Sequence, residues 1–241
     1  MRFIDYSFRE PERNIAADEA LLNLAETGDA DESLRIWESP TPFAVLGVGQ
    51  VLHDEIDERQ CANRGVPILR RCSAGGCVMQ GPGCLNFSLV LDSERRPELK
   101  GIQSSYEAIL GKLVCILSEN EIPAERAGTS DLAIGGRKIS GNAQRRKKRF
   151  VLHHGTFLYA VDPDLMGACL CEPVERPAYR GGRGHSEFLA PLPVPRESLR
   201  RFVLDAFAPE GNAEALSSVE TEEIRALAER KYLCPDWTYR R

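Results

Sequence analysis

The sequence predicts an α+β fold, in which strands run through hairpins and helices flank them. Three observations predict it. Residues 131–144, Asp-Leu-Ala-Ile-Gly-Gly-Arg-Lys-Ile-Ser-Gly-Asn-Ala-Gln, read as a strand, a turn at Gly135-Gly136 and a returning strand. Residues 86–91 and 150–159 read as further strands, the second with two histidines and Gly155 inside it. Residues 104–120 place Tyr106, Ile109, Leu110, Leu113, Ile116 and Leu117 at helical spacing. Such an element pattern belongs to layered α+β domains.

The remaining elements follow in chain order. Residues 14–26 carry Ile15, Ala16, Ala20, Leu21 and Leu24 at roughly helical spacing. Residues 34–37 and 43–48 read as strands around the Pro40–Pro42 turn, and 55–64 as a short helix. Residues 67–71 form a strand that leads into a glycine loop. Ser104 with Glu107 predicts a capping box at the start of the central helix. Residues 162–171 predict a short helix, and 173–185 a loop rich in Arg, Gly and Pro. Residues 197–207 and 219–231 predict amphipathic surface helices. There is no internal repeat and no long linker, so residues 1–241 are expected to form one domain.

Composition excludes several classes. The net charge of −5 argues against a nucleic-acid partner, although charge is locally uneven. No apolar run approaches the roughly 20 residues that span a bilayer, and the N-terminus lacks a signal-peptide core. A cytoplasmic protein without a membrane partner is the expectation. Eight cysteines are many for a cytosolic chain, but none forms a Cys-x-x-Cys pair. Reduced, mostly buried thiols are expected rather than a structural metal site.

Two segments carry candidate chemistry. In residues 70–86, Arg-Arg-Cys-Ser-Ala-Gly-Gly-Cys-Val-Met-Gln-Gly-Pro-Gly-Cys-Leu-Asn, Gly75 and Gly76 allow close backbone approach to a ligand. Their N–H groups can converge on an anion that Arg70 or Arg71 neutralises. A glycine-rich turn between two strands is the plainer reading of the same residues. In the second segment Lys138 stands just past the Gly-Gly turn. The run Arg145-Arg-Lys-Lys-Arg149 is either a solvated loop or a dock for an acidic domain or phosphates.

These segments, with His153–Thr156, occur in one order along the chain, and together they resemble the biotin/lipoate A/B protein ligase family. The closest branch is lipoate–protein ligase A and the octanoyltransferases. Weaker matches lie at residues 14–22, at 34–37 with 47–50, and at 232–239. The resemblance implies a mixed, largely antiparallel sheet flanked by helices, like the catalytic domain of biotin ligases and class II tRNA synthetases. It implies acyl transfer to a lysine of a lipoyl-accepting carrier protein. In the ligases, the lipoate carboxylate attacks the α-phosphate of ATP, and lipoyl-AMP is held for the carrier lysine. The cofactors implied are ATP and Mg²⁺, with lipoate as substrate. Such chemistry needs positioning and charge neutralisation rather than an enzyme nucleophile.

Residue by residue, Lys138 resembles the family's active-site lysine, with a solvated hairpin lysine as the alternative. Asp131 matches an acidic residue near the adenylate and its Mg²⁺; a turn-capping Asp is the alternative. Arg70 and Ser73 match phosphate or acyl-pocket positions. Gly75, Gly76, Cys77 and Val78 are expected to offer backbone groups, and Ser140 belongs to the same hairpin motif. His154 matches the second histidine of a His-His-Gly strand, and strand alternation keeps His153 and His154 from both facing the pocket. Gln50, after Gly47 and Gly49, is a further pocket candidate. Three positions depart from the family pattern. Ala74 replaces a glycine, which a positive φ would strain. Gln80 replaces a histidine and cannot carry a proton. Ser130 replaces an asparagine.

The transferase branches of the family use a cysteine acyl-enzyme. One places the cysteine shortly before the hairpin, where residues 119–130 contain none. The other places it after the His-Gly strand, at a position equivalent to Val174, with Cys171 nearby. A ligase is therefore the leading expectation. A transferase using Cys171 with Lys138 is the runner-up, and a lipoyl-binding homologue without turnover is the third reading. Ligases of this type carry a small accessory domain after the Trp-containing tail. Here the chain stops at Arg241, so the accessory domain is expected to be absent, or supplied by a separate polypeptide. A biotin ligase is disfavoured, because that branch's Gly-Arg-Gly-Arg-type loop is missing.

Overall fold

The computed structural model describes residues 1–173, 176–208 and 210–241. In chain order its elements are β1 (Arg2–Asp5), α1 (Pro11–Thr27), β2 (Ser33–Trp37), β3 (Phe43–Leu46), α2 (Leu52–Glu55), α3 (Glu58–Arg64), β4 (Ile68–Arg70), β5 (Val78–Gln80) and β6 (Cys84–Asp92). They continue with α4 (Ile102–Glu119), β7 (Glu125–Ala127), β8 (Asp131–Ile134), β9 (Arg137–Arg146), β10 (Phe150–Leu158), α5 (Pro163–Cys169) and α6 (His185–Phe188). Last come α7 (Arg196–Phe207), α8 (Ser218–Leu227) and α9 (Pro235–Thr238).

Among the described residues, seven strands form the main sheet in the order β1-β2-β6-β10-β9-β8-β7. Only β1 and β2 pair in parallel; the other neighbours are antiparallel. A second sheet, β4-β3-β5, stands beside it. The mixed, largely antiparallel sheet flanked by helices is thus present. All nine residues of β6 are buried, because helices or the small sheet cover both of its faces. Leu85, Phe87, Leu89 and Leu91 pack with the apolar stripes of α4 and α7. On the opposite face, Val90 with Phe150 and Leu152 of β10 meets Leu21, Leu22 and Ala25 of α1. The same helix turns Ala16, Ala17 and Ala20 toward a third cluster that includes Trp37, Phe43 and Val45.

Four local expectations are corrected. Strands β2 and β3 do not pair with each other; the residues between them carry the chain from one sheet to the other. The 55–64 helix is two pieces, because Ile56 is extended (φ −135°, ψ 132°). The central helix begins at Ile102, earlier than the proposed capping box. Ser104 therefore sits inside the first turn, and its hydroxyl donates back to the Glu98 and Gly101 carbonyls. Short strands β1, β5 and β7 lie where no strand was expected.

Candidate active site

Lys138 is presented by the hairpin of β8 and β9. Gly135 and Gly136 both have positive φ (55° and 71°), the left-handed pair that a tight two-residue hairpin demands. The register then slips: Leu132 pairs with Ser140, but Ala133 pairs with Lys138. Ile139 is the extra residue of a β-bulge, and it is buried with Leu132 in the α4-side core. In a regular strand, residues 138 and 141 would face opposite ways. The bulge brings both onto the cleft face. Gly141 then leaves room for the lysine, since a Cβ there would stand 2.7 Å from Lys138 Nζ. The ammonium pairs with Asp131 Oδ1 at 2.9 Å. Asp131 Oδ2 accepts a 2.7 Å hydrogen bond from the Tyr179 hydroxyl.

The glycine loop faces this lysine from the small sheet. Gly75 supplies the left-handed residue (φ 95°), and Ala74 does not. The strain expected at Ala74 is therefore absent. Its carbonyl accepts from Arg71 Nη2 at 2.7 Å, while Arg71 Nε donates to Ser73 Oγ at 2.9 Å. Gly47 supports the loop from behind, where a Cβ would lie 1.9 Å from the Gly75 carbonyl oxygen. The two arginines diverge because adjacent residues of an extended chain point opposite ways. Arg71 lines the cleft. Arg70 turns inward, fully buried, and donates to the carbonyls of Gly47 (3.0 Å), Gln50 (2.6 Å) and Thr238 (3.0 Å).

Behind the loop a hydrogen-bonded chain ties three elements together. Ser73 Oγ lies 2.6 Å from His154 Nε2, and His154 Nδ1 lies 3.2 Å from Asp18 Oδ2 on α1. Arg35 completes the chain at 2.9 Å from Asp18 Oδ1. Burial alone would raise the Asp18 pKa, but the His154 hydrogen bond and the Arg35 charge outweigh it and hold the carboxyl below its usual value. The ionised carboxylate accepts from His154 Nδ1–H, which turns Nε2 toward the Ser73 hydroxyl. Ser73 is fully buried, which makes this arrangement a brace for the loop rather than a nucleophilic triad. Beside it, Gln80 Nε2 donates to Thr156 Oγ1 (2.8 Å), Thr156 donates to Asn86 Oδ1 (2.6 Å), and Asn86 Nδ2 donates to Gln80 Oε1 (2.9 Å). The closed ring uses both ends of the Gln80 amide and needs no titrating proton.

These parts enclose a cleft with two lobes. The narrower holds about 130 Å³ between α1, the small sheet and β10, with Ile15, Trp37, Phe43 and Val45 on its apolar side. The wider holds about 310 Å³ and is lined by Met166, Leu170, Cys171, Arg180 and Phe188 among others. Gly76, Cys77, Val78, Asp131, Lys138 and Thr156 border both lobes, so the lysine stands at their junction.

The expected site residues divide accordingly. Gly75, Gly76, Cys77, Val78, Gln80, Asp131, Lys138 and His154 line the cleft, and Cys171 lines its wider lobe. Four do not. Arg70 is a buried brace, and the cleft cation is its neighbour Arg71. Ser73 is enclosed behind the loop. The Gln50 amide oxygen is used internally, accepting from Gly47 N–H at 2.7 Å. Ser140 is fully buried beside the bulge, within 3.3 Å of Asn142 Nδ2. The position equivalent to Val174 lies outside the described residues. In the basic run, Arg146 donates to the Leu99 and Lys100 carbonyls and Arg149 pairs with Asp92 at 2.6 Å, while Arg145, Lys147 and Lys148 are exposed. Missed in sequence were Asp18, one of four acidic residues on α1 and so without a distinguishing signal, and Tyr179, in a segment with no periodic signal. The two cleft thiols are not activated. Burial pushes the Cys77 thiol up despite Arg71, and burial with Asp57, Glu55 and Asp54 nearby pushes Cys171 up.

The family model of the lipoyl protein ligase A/B catalytic domain matches residues 10–190. The chain belongs to this family. Among relatives of this lipoyl ligase A/B protein, the octanoyltransferase LipM of Moorella thermoacetica is 28% identical over 269 residues, covering 100% of this chain and 98% of the relative. Lipoate–protein ligase 1 of Staphylococcus aureus is 27% identical over 251 residues, covering 100% and 74%. A crystal structure of lipoate–protein ligase A bound with ATP superposes with a TM-score of 0.85 at 24% identity, covering 99% and 98%. The bi-partite lipoate protein ligase of Thermoplasma acidophilum does so with a TM-score of 0.82 at 23% identity, covering 99% and 95%. At those identities the structural likeness establishes a shared fold. The protein is thus an enzyme of the lipoate ligase and octanoyltransferase family. Among the described residues, no helix is long and apolar enough to cross a membrane.

Proposed function

We propose that this enzyme is a lipoate–protein ligase, which activates lipoate with ATP and passes the acyl group to a lysine of a lipoyl-accepting carrier protein. The observation that carries the reading is the position of Lys138. It faces the junction of a narrow, partly apolar lobe and a wider lobe, opposite the loop of Gly75, Gly76, Cys77 and Val78, while the thiols beside it are held protonated. The narrow lobe suits an acyl tail and the wider one a nucleotide. A carboxylate oxygen of the acid attacks the α-phosphorus, and the bond to the bridging oxygen breaks with release of pyrophosphate. Lys138 and Arg71 neutralise charge on the phosphate and carboxylate oxygens. The neutral carrier amine then attacks the acyl carbonyl and AMP leaves.

Mg²⁺ would neutralise nucleotide phosphates, and Asp131 is the carboxylate at hand. Its two oxygens already serve Lys138 and Tyr179, and among the described residues no group of three His, Cys, Asp or Glu gathers for a metal. The described residues gather no cage for Mg²⁺, and Asp131 would hold the ion together with the nucleotide phosphates.

Octanoyl transfer through Cys171 is the second reading, favoured by the place of that thiol on the wider lobe and by the LipM relatives. Pyrophosphate release from ATP, Mg²⁺ and lipoate, followed by mass spectrometry of a carrier domain, tests the choice. The assay is run alone and with a candidate accessory polypeptide, as the bi-partite relative invites. Pyrophosphate and a lipoylated carrier support the ligase. An octanoyl adduct on Cys171, lost in Cys171→Ala, would replace it with the transferase. Tight lipoyl-AMP binding without carrier modification would identify a binding homologue.

A further inference from the structure

Residues 179–190 grip the Lys138 hairpin at several points. Arg137 donates to the carbonyls of Ser186 (3.3 Å), Glu187 (3.1 Å) and Leu189 (2.6 Å). Arg183 Nη2 donates to the Gly136 carbonyl at 2.9 Å, and the Ala190 N–H donates to the Lys138 carbonyl at 2.8 Å. These contacts fix the hairpin from Gly136 to the lysine's own carbonyl. One further contact reaches its charged partner. The Tyr179 hydroxyl donates to Asp131 Oδ2 at 2.7 Å, and the other oxygen of that carboxylate holds Lys138 Nζ at 2.9 Å.

We propose that Tyr179 is a positioning residue for the acyl-transfer lysine: its hydroxyl fixes the Asp131 carboxylate, and through it the Lys138 side chain, toward the junction of the two lobes. The inference rests on Lys138 being the working cation, as in the function proposed above. An ammonium on four methylenes has many rotamers, and a single ion pair to a freely turning carboxylate would select among them weakly. A carboxylate held at both oxygens has one orientation. Tyr179 is suited to hold it. Burial, together with the charge of Asp131 and the hydrogen bond to it, pushes the phenol pKa well above its ordinary value, so it remains a donor. Its ring is placed independently of that bond. It packs on Phe188 with centroids 5.1 Å apart, and it crosses Gly128 so closely that a Cβ there would meet the ring at 3.5 Å. Removing the hydroxyl alone therefore leaves the wall of the wider lobe standing.

Tyr179→Phe makes that removal. Carrier acylation is followed for the native chain and the variant, with thermal melting as a control on the fold. The expected result is a kcat lowered roughly ten- to hundredfold, the scale of one hydrogen bond to a charged acceptor, with KM for acid and nucleotide within about twofold. In an Asp131→Asn background the same substitution should change the rate by less than about threefold, because the two residues act as one unit. If Asp131→Asn is too slow to follow, the division between kcat and KM decides alone. A raised KM with kcat kept, unchanged kinetics, or an equal loss in both backgrounds would overturn the inference. Absence of pyrophosphate release by the native chain would instead sink the ligase reading. The same chains would then be compared in octanoyl transfer from an octanoyl carrier, which also needs Lys138, and inactivity in both reactions would remove both proposals.

Discussion

Lowering the pH from 7 to 5 should weaken the fold by about 2 kcal/mol through one side chain, His153. It lies on the face of β10 opposite His154, fully buried, and stacks on Phe87 with centroids 5.9 Å apart. Its Nε2 is 3.3 Å from Asn142 Oδ1, and its Nδ1 is 3.1 Å from Gln144 Nε2. The Asn142 amide nitrogen is committed to the Ser130 carbonyl, and Gln144 Oε1 accepts from Ser105. The imidazole therefore donates from Nε2 and accepts at Nδ1, which is the neutral form. Protonation would point Nδ1–H at the Gln144 NH₂ group. Burial, helped by His154, drives the pKa from 6.5 to about 3. A base with a depressed folded pKa contributes fully above its unfolded pKa. Between 6.5 and about 3 the unfolded chain binds a proton that the folded one refuses, so stability falls with pH in that window. Each unit is worth about 1.4 kcal/mol, and pH 5 lies about 1.5 units below the unfolded value, which gives about 2 kcal/mol. The buried or paired carboxylates Asp18, Glu32 and Asp92 have lowered pKa values and act mainly below the range of unfolded carboxylates, so they contribute little here. Urea unfolding followed by circular dichroism at pH 7, 6 and 5 reads the slope, with His153→Gln as the reference. A native chain that loses less than about 0.5 kcal/mol, or a variant with the same slope, would refute the argument.

Lys138→Met should lower carrier acylation by roughly 10²–10³-fold while shifting urea stability by about 1 kcal/mol or less, since the ion pair is partly solvated; retained turnover would remove the site assignment. Gly141→Ala should act through the same lysine. The new Cβ would stand 2.8 Å from Lys138 Cε, a flexible chain end that moves aside, so activity should fall more than about tenfold with the melting temperature nearly unchanged. Arg70→Met and Arg71→Met should separate, although the residues are neighbours. The first strands the Gly47, Gln50 and Thr238 carbonyls, two of them buried, and should lower stability by roughly 3 kcal/mol or more, whereas the second should chiefly lower activity; the opposite pattern in paired melting and acylation assays would reverse their roles.

Elements whose causes are local were legible in the sequence. The Gly135-Gly136 turn needs two left-handed residues in succession, and only glycine adopts that conformation freely. Helix α4 declared itself through its apolar spacing, and β6 and β10 through their strand-like runs. The short strands β1 and β5 carry too few residues for a pattern, and their partners are distant in sequence. Placement of the site was legible only in part. Two adjacent arginines before a glycine loop announce an anion site, but nothing local tells which one faces it. The departures at Ala74 and Gln80 also proved milder than expected. The left-handed turn falls on Gly75, and the amide ring with Asn86 and Thr156 uses a glutamine well.

By itself the sequence determined the family, the lysine hairpin and the glycine loop, because each is written in contiguous residues whose backbone demands are short-range. Tertiary structure decided which side chains meet. The bulge at Ile139 turns Lys138 onto the cleft face. Burial against the C-terminal carbonyls removes Arg70 from the cleft, and His154 is braced by an aspartate 136 positions away. Facing direction in a strand changes with every single residue of register, and register is set by pairing with the rest of the sheet. Only the assembled layers fix it.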